Sequence, residues 1–368
     1  MIPVNRPLLN GNEKKYILQA IESGWISSDG PFVEEFENRF SSKVHRKYGI
    51  AVANGTAALE ISVKALGINS GQEVIVPTFT IISCALSVLR NGAKPVFVDC
   101  YPDTWNLNVE EIESKITSKT TAIMPVHIYG LPVEMNSLIK LANKYKLAII
   151  EDAAEAHGQT YYGKPCGSFG ALSTFSFYAN KHLTTGEGGM IVTDDYDLAE
   201  KCRKLRNLCF EPEKRFVHYD IGWNYRMTNM QAAIGLAQLE NLEATLIRKK
   251  SMGFKYDYVL RGNSSIQTPV TKTEGYENNY WVFGVLLNPQ IKKKASQIMQ
   301  SLKIKGVGTR PFFWPLHKQP IMQEFYQEPL PVSELISETG FYLPSGVGTT
   351  EKEIYLAAEK LVEALNEQ

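Results

Sequence analysis

Short runs of apolar, largely β-branched residues alternate with longer amphipathic stretches over the first two thirds of the chain. The runs are EVIVPTF, PVFVD, TTAIMPVHI, LAIIEDAA and GGMIVTD. Such runs are typical of strands that are buried on both faces, whereas SLIKLANKYK, between two of them, has helical spacing. This alternation predicts an α/β layered domain with a largely parallel sheet.

From about residue 240 the pattern changes. A long charged helix is predicted by QLENLEATLIRKKSMGFKYDYVLRG, a strand by NYWVFGVLL and a further helix by KKKASQIMQSLKIKG. We therefore expect a large domain over 1–240 and a smaller α+β domain over 241–368. The sequence shows no internal repeat and no low-complexity linker, so we expect the two parts to pack closely.

Composition and charge narrow the class of protein. The 368 residues are 44% hydrophobic and 21% charged, which is enough apolar material for such a core. Lysine plus arginine equals aspartate plus glutamate at 39 each, which argues against nucleic acid or a membrane surface as partner. The N-terminus lacks the features of a signal peptide and no apolar run is long enough for a membrane helix, which predicts a cytoplasmic protein. The five cysteines have no paired spacing, which favours reduced thiols and no metal site.

Three candidate features of a site follow predicted strands. The run LAIIEDAA delivers Asp152 at the carboxyl end of its strand, where open α/β sheets hold their ligands, although a helix cap is the alternative. AVANGTAALEISVKALG predicts a strand, a turn and a helix whose first backbone N–H groups form a phosphate site, to which Thr56 can add a hydroxyl. A plain N-cap is the alternative there. GALSTFSFYANK places Ser176 and then Lys181 at the end of another strand, although a lone lysine is usually a solvated charge.

Together, the three features match what pyridoxal 5′-phosphate requires of a protein. That cofactor needs a lysine for a Schiff base, a carboxylate near its pyridine nitrogen, and a cradle for its phosphate. Lys181, Asp152 and the turn Gly55-Thr56-Ala57 supply one each.

An ordered series of motifs extends over nearly the whole chain. The motifs are SGWISSDGPFVEEFE, NGTAALE, VPTFT, VHIYG, IEDAAEAHG, FSFYANKHLTTGEGGM, NYRMTNMQAAIGLAQLE, RPFFWPLH and LPSG. In this series the chain resembles the nucleotide-sugar aminotransferases of the DegT group, which are fold-type I pyridoxal-phosphate enzymes. The resemblance implies an α/β fold with a large domain around a mostly parallel seven-stranded sheet and a smaller C-terminal α+β domain.

The resemblance also implies roles for single residues. Lys181 would form the Schiff base and Asp152 would lie beside the pyridine nitrogen. The phosphate would be held by Gly55, Thr56, Ala57 and Ser176. Asn224 would reach the phosphate from the neighbouring subunit, which implies a homodimer with shared active sites.

Two positions depart from the family pattern. The aromatic residue that usually stacks on the cofactor ring, two places after Phe79, is Ile81, so we expect apolar packing by Ile81 and Phe79 instead. The third position after Asp152, a glutamine in many members, is Glu155, as in the branch that forms perosamine. We count Glu155 among the cofactor-binding residues, without assigning its contact.

Lysine and histidine are neighbours in the motif SFYANKHL. A related branch of sugar 3-dehydratases has a histidine in place of the lysine, but here Lys181 stands five residues after Ser176, as in the aminotransferases. Lys181 is therefore the predicted catalytic residue, and we expect a structural role for His182. His127 and Tyr129 are candidates to line the pocket, with a core position as the alternative for His127.

The glycines of TTGEGGM precede a strand. A dinucleotide-binding fingerprint must open a helix, so we expect Gly186, Gly188 and Gly189 to allow a tight turn beside the cofactor instead.

The predicted substrate residues come from both ends of the chain. In RPFFWPLHKQP, Arg310 offers a fork of donors, Phe313 and Trp314 offer flat apolar faces, and His317 can bond a hydroxyl. The alternative is that these aromatics are core and Arg310 is a surface charge. From SGWISSDG we add Trp25 and Ser27.

The resemblance implies amino transfer from L-glutamate to C4 of a nucleotide-linked 4-keto-6-deoxysugar. The expected sugar is GDP-4-keto-6-deoxy-D-mannose, which would give GDP-perosamine for O-antigen synthesis. A UDP- or dTDP-linked sugar, a 3-dehydratase and a non-catalytic regulator are the alternatives.

Overall fold

The structure is a computed structural model that describes residues 1–211, 213–325 and 328–367. Its α-helices are α1 Glu13–Glu22, α2 Pro31–Lys43, α3 Gly55–Ala65, α4 Ser83–Arg90, α5 Val109–Lys115, α6 Met135–Tyr145, α7 Tyr196–Arg206, α8 Asn229–Glu240, α9 Leu242–Leu260, α10 Ala295–Ile304, α11 Pro331–Thr339 and α12 Glu351–Asn366. The strands of the larger sheet are β1 Tyr48–Val52, β2 Glu73–Pro77, β3 Lys94–Val98, β4 Thr120–Ile123, β5 Ala148–Asp152, β6 Leu172–Ser176 and β7 Gly189–Thr193.

The seven strands of the larger sheet lie in the order β1-β7-β6-β5-β4-β2-β3. Strand β7 is antiparallel to both of its neighbours, and the other paired strands are parallel. The prediction of a mostly parallel seven-stranded sheet is confirmed. Because β5 and β6 are parallel neighbours, the residues that follow them meet at one edge of the sheet. Helix α3 begins beside that edge, since its first residue contacts Ser176.

A second, smaller sheet is antiparallel and comes from the C-terminal part of the chain. Its strands are β8 Ile266–Gln267, β9 Phe283–Leu287, β10 Arg310–Pro311 and β11 Gly340–Leu343, in the order β8-β9-β11-β10. Apolar residues of α9, α10 and α12 pack against this sheet in one buried cluster. A two-stranded hairpin pairs Thr160–Tyr161 with Lys164–Pro165.

The single long helix predicted from residue 238 is two helices in the structure. Asn241 follows α8 and precedes α9, with φ −100° and ψ 7°, which lies outside the helical region. The chain therefore bends where the sequence pattern shows uninterrupted helical spacing.

The start of the chain lies against the C-terminal region. Ile2 N–H donates to the carbonyl of Gly306 at 2.7 Å, and the carbonyl of Val4 accepts from Ser345 N–H at 2.9 Å. The carbonyl of Arg6 accepts from Gly348 N–H at 2.8 Å. The division at residue 240 stays a prediction, with these first residues in contact with the region beyond it.

One large apolar cluster joins the two parts of the chain. Phe79 and Trp105, from the N-terminal part, pack with Phe312 at ring-centroid distances of 5.8 and 5.1 Å. The small sheet is thereby fixed against the large one beside the edge where β5 and β6 end. Within the described residues, no helix combines the length and apolar character that a membrane span requires.

Candidate active site

A cavity of about 590 Å³ opens where the two parts of the chain meet. Many of the residues predicted from the sequence line this cavity: Gly55, Thr56, Ala57, Ile81, Asp152, Glu155, Ser176, Lys181, Arg310 and Phe313. A second cavity of about 180 Å³ adjoins it and shares Tyr178, Asn180, Trp281, Arg310 and Tyr342.

The N-terminus of α3 forms the floor of one end of the cavity. Asn54 is the N-cap, and its side-chain oxygen accepts from Ala57 N–H at 2.8 Å. The N–H groups of Gly55 and Thr56 have no acceptor within the described part of the chain. The Thr56 hydroxyl lies 2.8 Å from that of Ser83. Two backbone donors and a hydroxyl pair thus face the cavity, where the helix dipole favours an anion.

Ala57 needs a correction as a phosphate donor. Ala57 lines the cavity, but Asn54 already engages its N–H group. Of the predicted turn Gly55-Thr56-Ala57, only the first two residues therefore have a free N–H group.

The open N-terminus of α3 forms the predicted phosphate cradle, and glycine is required where this cradle meets the sheet. A Cβ atom on Gly55 would lie 2.8 Å from Cβ of Ser176, and one on Gly189 would lie 2.5 Å from the carbonyl oxygen of Asn54. Both distances are too short for any larger side chain without movement. The absence of these side chains lets strands β6 and β7 approach the helix terminus closely and leaves its N–H groups open to a ligand.

Asp152 ends strand β5 and is 2% exposed. Its Oδ1 accepts from Ala154 N–H at 3.0 Å, and its Oδ2 accepts from the Cys84 thiol at 3.3 Å. Burial raises the pKa of Asp152 and raises the pKa of Cys84 well above its usual value, so Cys84 stays a thiol and can donate. A buried carboxylate at this edge suits a ligand group that carries a proton and a positive charge.

Lys181 lies in the turn after β6, and its side chain is 10% exposed. Its Nζ is 3.7 Å from Oε1 of Glu155 and 3.8 Å from the centroid of the Trp281 ring. The indole N–H of Trp281 donates to the carbonyl of Asn180 at 2.9 Å, which fixes the ring beside the lysine. Burial lowers the pKa of Lys181 and raises the pKa of Glu155 to about 7, so a neutral amine is accessible at this position.

The structure corrects the prediction for His317, which is 2% exposed and lies outside the cavity lining. Its Nδ1 lies 2.7 Å from the Thr78 hydroxyl and its Nε2 lies 3.1 Å from Oε1 of Glu334. Both ring nitrogens are thus engaged within the protein, so the ring serves packing between the two parts of the chain.

Four other predicted residues lie outside the cavity that this chain forms alone: Trp25, Ser27, Asn224 and Trp314. All four are exposed. Their contacts with a ligand stay predictions.

The aromatic and histidine candidates next to the site occupy buried positions. Phe79 packs edge-on to Tyr129 at 5.9 Å in the apolar cluster and does not line the cavity, so Ile81 alone of that pair faces it. His127 follows the core alternative, since its Nε2 lies 3.0 Å from Oε1 of Glu151. His182 is 2% exposed and lies behind Lys181, and burial lowers its pKa well below the usual value, which agrees with a structural role.

Several cavity residues were not predicted from the sequence. Trp281 and Tyr342 line the cavity, and the Cys84 thiol acts on it through its hydrogen bond to Asp152. No spacing in the sequence links Trp281 to Lys181, and only the folded chain brings them together.

The site has the set of groups that a phosphorylated aldehyde cofactor of the pyridoxal type requires. An open helix N-terminus, a buried carboxylate and a partly desolvated lysine line one cavity, and the glycine cradle leaves room for a phosphate. The seven-stranded sheet with this site at its edge defines an enzyme of the aminotransferase class. The chain belongs to the DegT/DnrJ/EryC1/StrS aminotransferase family, whose model matches residues 7–362.

Relatives match over nearly their full length. The chain is 41% identical over 362 residues to a protein of Escherichia coli O157:H7 named GDP-perosamine synthase, covering 98% of each chain. It is 41% identical over 367 residues to the GDP-perosamine synthase of Caulobacter vibrioides, covering 100% of this chain and 98% of that one. The Streptococcus pneumoniae protein Spr1654, solved in a PMP form, has a TM-score of 0.94 at 26% identity and covers 99% of this chain and 97% of that one.

Proposed function

We propose that this protein binds pyridoxal 5′-phosphate and transfers the amino group of L-glutamate to C4 of a nucleotide-linked 4-keto-6-deoxysugar. The observation that carries the proposal is one cavity in which Lys181, Asp152 and the open N-terminus of α3 converge. The sugar we propose is GDP-4-keto-6-deoxy-D-mannose, giving GDP-perosamine. Support for that sugar is the similarity to relatives named GDP-perosamine synthase, which extends over whole chains.

The residues of the cradle would hold the phosphate. The N–H groups of Gly55 and Thr56 point from the first turn of α3, and the hydroxyls of Ser83 and Ser176 lie beside them. These donors can bind the negatively charged phosphate without a lysine or arginine, because the helix dipole adds to their hydrogen bonds. Asp152 would hold a proton on the pyridine nitrogen, kept in place by its bonds from Ala154 and Cys84.

When bound, the cofactor supplies a reactive carbonyl carbon and a sink for the electron pair left after a proton departs. Lys181 would be its attachment point and would then move protons, since its Nζ, as a neutral amine, can take the proton from Cα of the amino donor. Trp281 and Phe313 line the cavity near this amine and exclude water from one side of it. Arg310 reaches both cavities, where its donors suit a diphosphate or a carboxylate.

A homodimer with shared sites is part of the proposal. The segment ahead of Asn224 exposes large apolar side chains to solvent in the single chain, with Phe216 82%, Tyr219 75% and Ile221 80% exposed. Exposed apolar clusters of this kind support a protein interface. Asn224 is exposed and does not line its own cavity, which agrees with a role in the cavity of a second copy.

Mixed dimers test the shared site. We expect Asn224→Ala and Lys181→Ala each to lower activity, and mixing them to restore part of it, because one site in each hybrid carries neither change. Mixed subunits that exchange without any recovery would contradict the shared site.

The decisive test of the reaction uses purified protein loaded with cofactor. We expect glutamate to discharge the visible absorption of the bound cofactor, and mass spectrometry to detect an amino sugar from the GDP-linked keto sugar. GDP-, UDP- and dTDP-linked keto sugars are compared side by side, with Lys181→Ala as the inactive control that keeps the cradle and Asp152. A location in the cytoplasm and a role in O-antigen synthesis are also proposed.

Two results would overturn parts of this proposal. A preference of more than about tenfold in kcat/KM for the UDP-linked sugar, or roughly 1.4 kcal/mol, would remove the GDP assignment and leave amino transfer intact. Loss of the sugar's 3-hydroxyl without formation of an amino sugar would replace the aminotransferase by a 3-dehydratase.

A further inference from the structure

Glu155 is the carboxylate nearest to the amine of Lys181 within the described residues. Oε1 of Glu155 lies 3.7 Å from Nζ, and the side chains are 6% and 10% exposed. The other oxygen, Oε2, accepts from Tyr129 N–H at 2.8 Å. Because one oxygen is fixed by the backbone, the other is held toward the lysine.

Burial favours the neutral form of both members of this pair. The charged and titratable groups that act on Glu155 or Lys181, or lie behind the lysine, are Asp152, Cys84, Tyr129, Tyr342, His157 and His182. Burial keeps Cys84 and Tyr129 protonated, and it lowers the pKa of His157 to about 3, so that ring stays neutral. The other charge that acts on both members of the pair is Asp152, which opposes a second negative charge on Glu155 and favours the positive charge on Lys181.

We propose that Glu155 and Lys181 hold one proton between them, and that Oε1 of Glu155 accepts it when Lys181 must act as a neutral amine. In that step an N–H bond of Nζ breaks, its electron pair stays on nitrogen, and an O–H bond forms on Oε1. The reverse step returns the proton and restores the ammonium. Glu155 is thus a proton store for the catalytic lysine, a role that rests on the proposed aminotransferase function.

Energetics allow the proton to lie on either group. Burial disfavours a charge on the carboxylate and on the amine alike, whereas their mutual attraction favours the ion pair. The pKa of Glu155 is raised to about 7 by burial, and the pKa of Lys181 is lowered by burial. The two pKa shifts run toward one another, so moving the proton from Nζ to Oε1 costs less here than it would between the free groups.

Infrared difference spectroscopy of the full-length protein loaded with pyridoxamine 5′-phosphate, which leaves the Lys181 amine free, tests the proton store directly. We expect the carbonyl band of a protonated carboxyl group to appear as the pH falls through about 7 and to be lost in Glu155→Gln. The matched control is Glu359→Gln, which removes an exposed carboxylate of α12 outside the cavity and should leave the band in place. Neither glutamate nor a sugar is needed, so the result is independent of the substrate assignment.

Kinetics of the half-reaction with glutamate give a second readout. We expect Glu155→Gln to slow it by about tenfold or more at neutral pH and to change its pH profile, because an amide cannot accept the proton. Glu359→Gln should keep the wild-type profile. A carboxylate at Glu155 that stays ionised down to about pH 5 would overturn the proposal, as would wild-type half-reaction kinetics in Glu155→Gln. Should Glu155→Gln fail to fold, carbon-13 labelling of glutamate carboxyl groups in the wild-type protein reads the same band.

Discussion

Replacing Gly55 by alanine tests the argument that the cradle depends on close contact between α3 and strand β6. The backbone of Gly55 is helical, so its φ angle does not exclude alanine. Because Gly55 is the first residue of α3, only a fraction of the roughly 1 kcal/mol that alanine gains over glycine in a helix interior applies. The new Cβ would lie 2.8 Å from Cβ of Ser176 and 3.2 Å from its hydroxyl oxygen. Overpacking of this kind costs about 1–3 kcal/mol, so we expect a net loss of stability of about 1–2 kcal/mol.

A double-mutant cycle separates the contact from other effects. Ser176→Gly removes the nearest atom, and the next one, Cα of Ser176, would lie 3.4 Å from the new methyl group. The cost of Gly55→Ala should therefore fall by about 1 kcal/mol or more in the Ser176→Gly background. The free energy of unfolding of the four proteins is measured by denaturant titration, and cofactor retention is followed by absorbance after dialysis. The same cost in both backgrounds, within about 0.3 kcal/mol, would refute the steric argument.

Three further predictions concern charged groups. Burial lowers the pKa of Lys249 to about 7, so the unfolded state binds more protons than the folded state above that pH. The free energy of unfolding should therefore rise from about pH 7 to pH 10, and Lys249→Met should flatten this rise. The pKa of Glu151 is lowered to about 2 despite its burial, through bonds from His127 and backbone N–H groups, so its contribution is present above about pH 4 and is lost as the pH falls toward 2. Glu151→Gln should cost about 3 kcal/mol at neutral pH and weaken that acid loss; an unchanged unfolding midpoint would contradict it. Arg310→Ala should lower kcat/KM for the keto sugar about 10- to 100-fold with little change in thermal stability, because Arg310 is exposed, and Arg310→Lys should recover part of the loss.

The residues of the site that the sequence predicts are those placed by local structure. Asp152 and Ser176 end buried strands, and Gly55 begins a helix shortly after a strand. A short apolar run followed by a turn is therefore enough to bring them to one edge. The direction of β7, in contrast, could not be predicted from the sequence. A short apolar run looks the same whichever way its strand points, and only the pairing with both neighbours shows that it is antiparallel.

Contacts between distant segments could not be predicted in this way. Trp281 faces Lys181 across 100 positions of sequence, and His317 is captured by Thr78 across 239. Ala57 shows the same limit at short range, since Asn54 takes its N–H group. Each of these contacts depends on which group is nearest in the folded chain, and a single sequence does not give that distance.

The position of the first residues has a consequence for how the protein is made. Ile2 packs in the cluster beneath the small sheet, and Val4 and Asn5 line the smaller cavity together with Trp281 and Arg310. These residues leave the ribosome roughly 300 residues before their partners near Val307 and Ser345. The seven-stranded sheet has all of its strands by residue 193, so it can form while the rest is still being synthesised. The wall of the site, in contrast, can close only after Val307 and Ser345 have been synthesised, and a cut before residue 7 should open that wall while the large sheet stays folded.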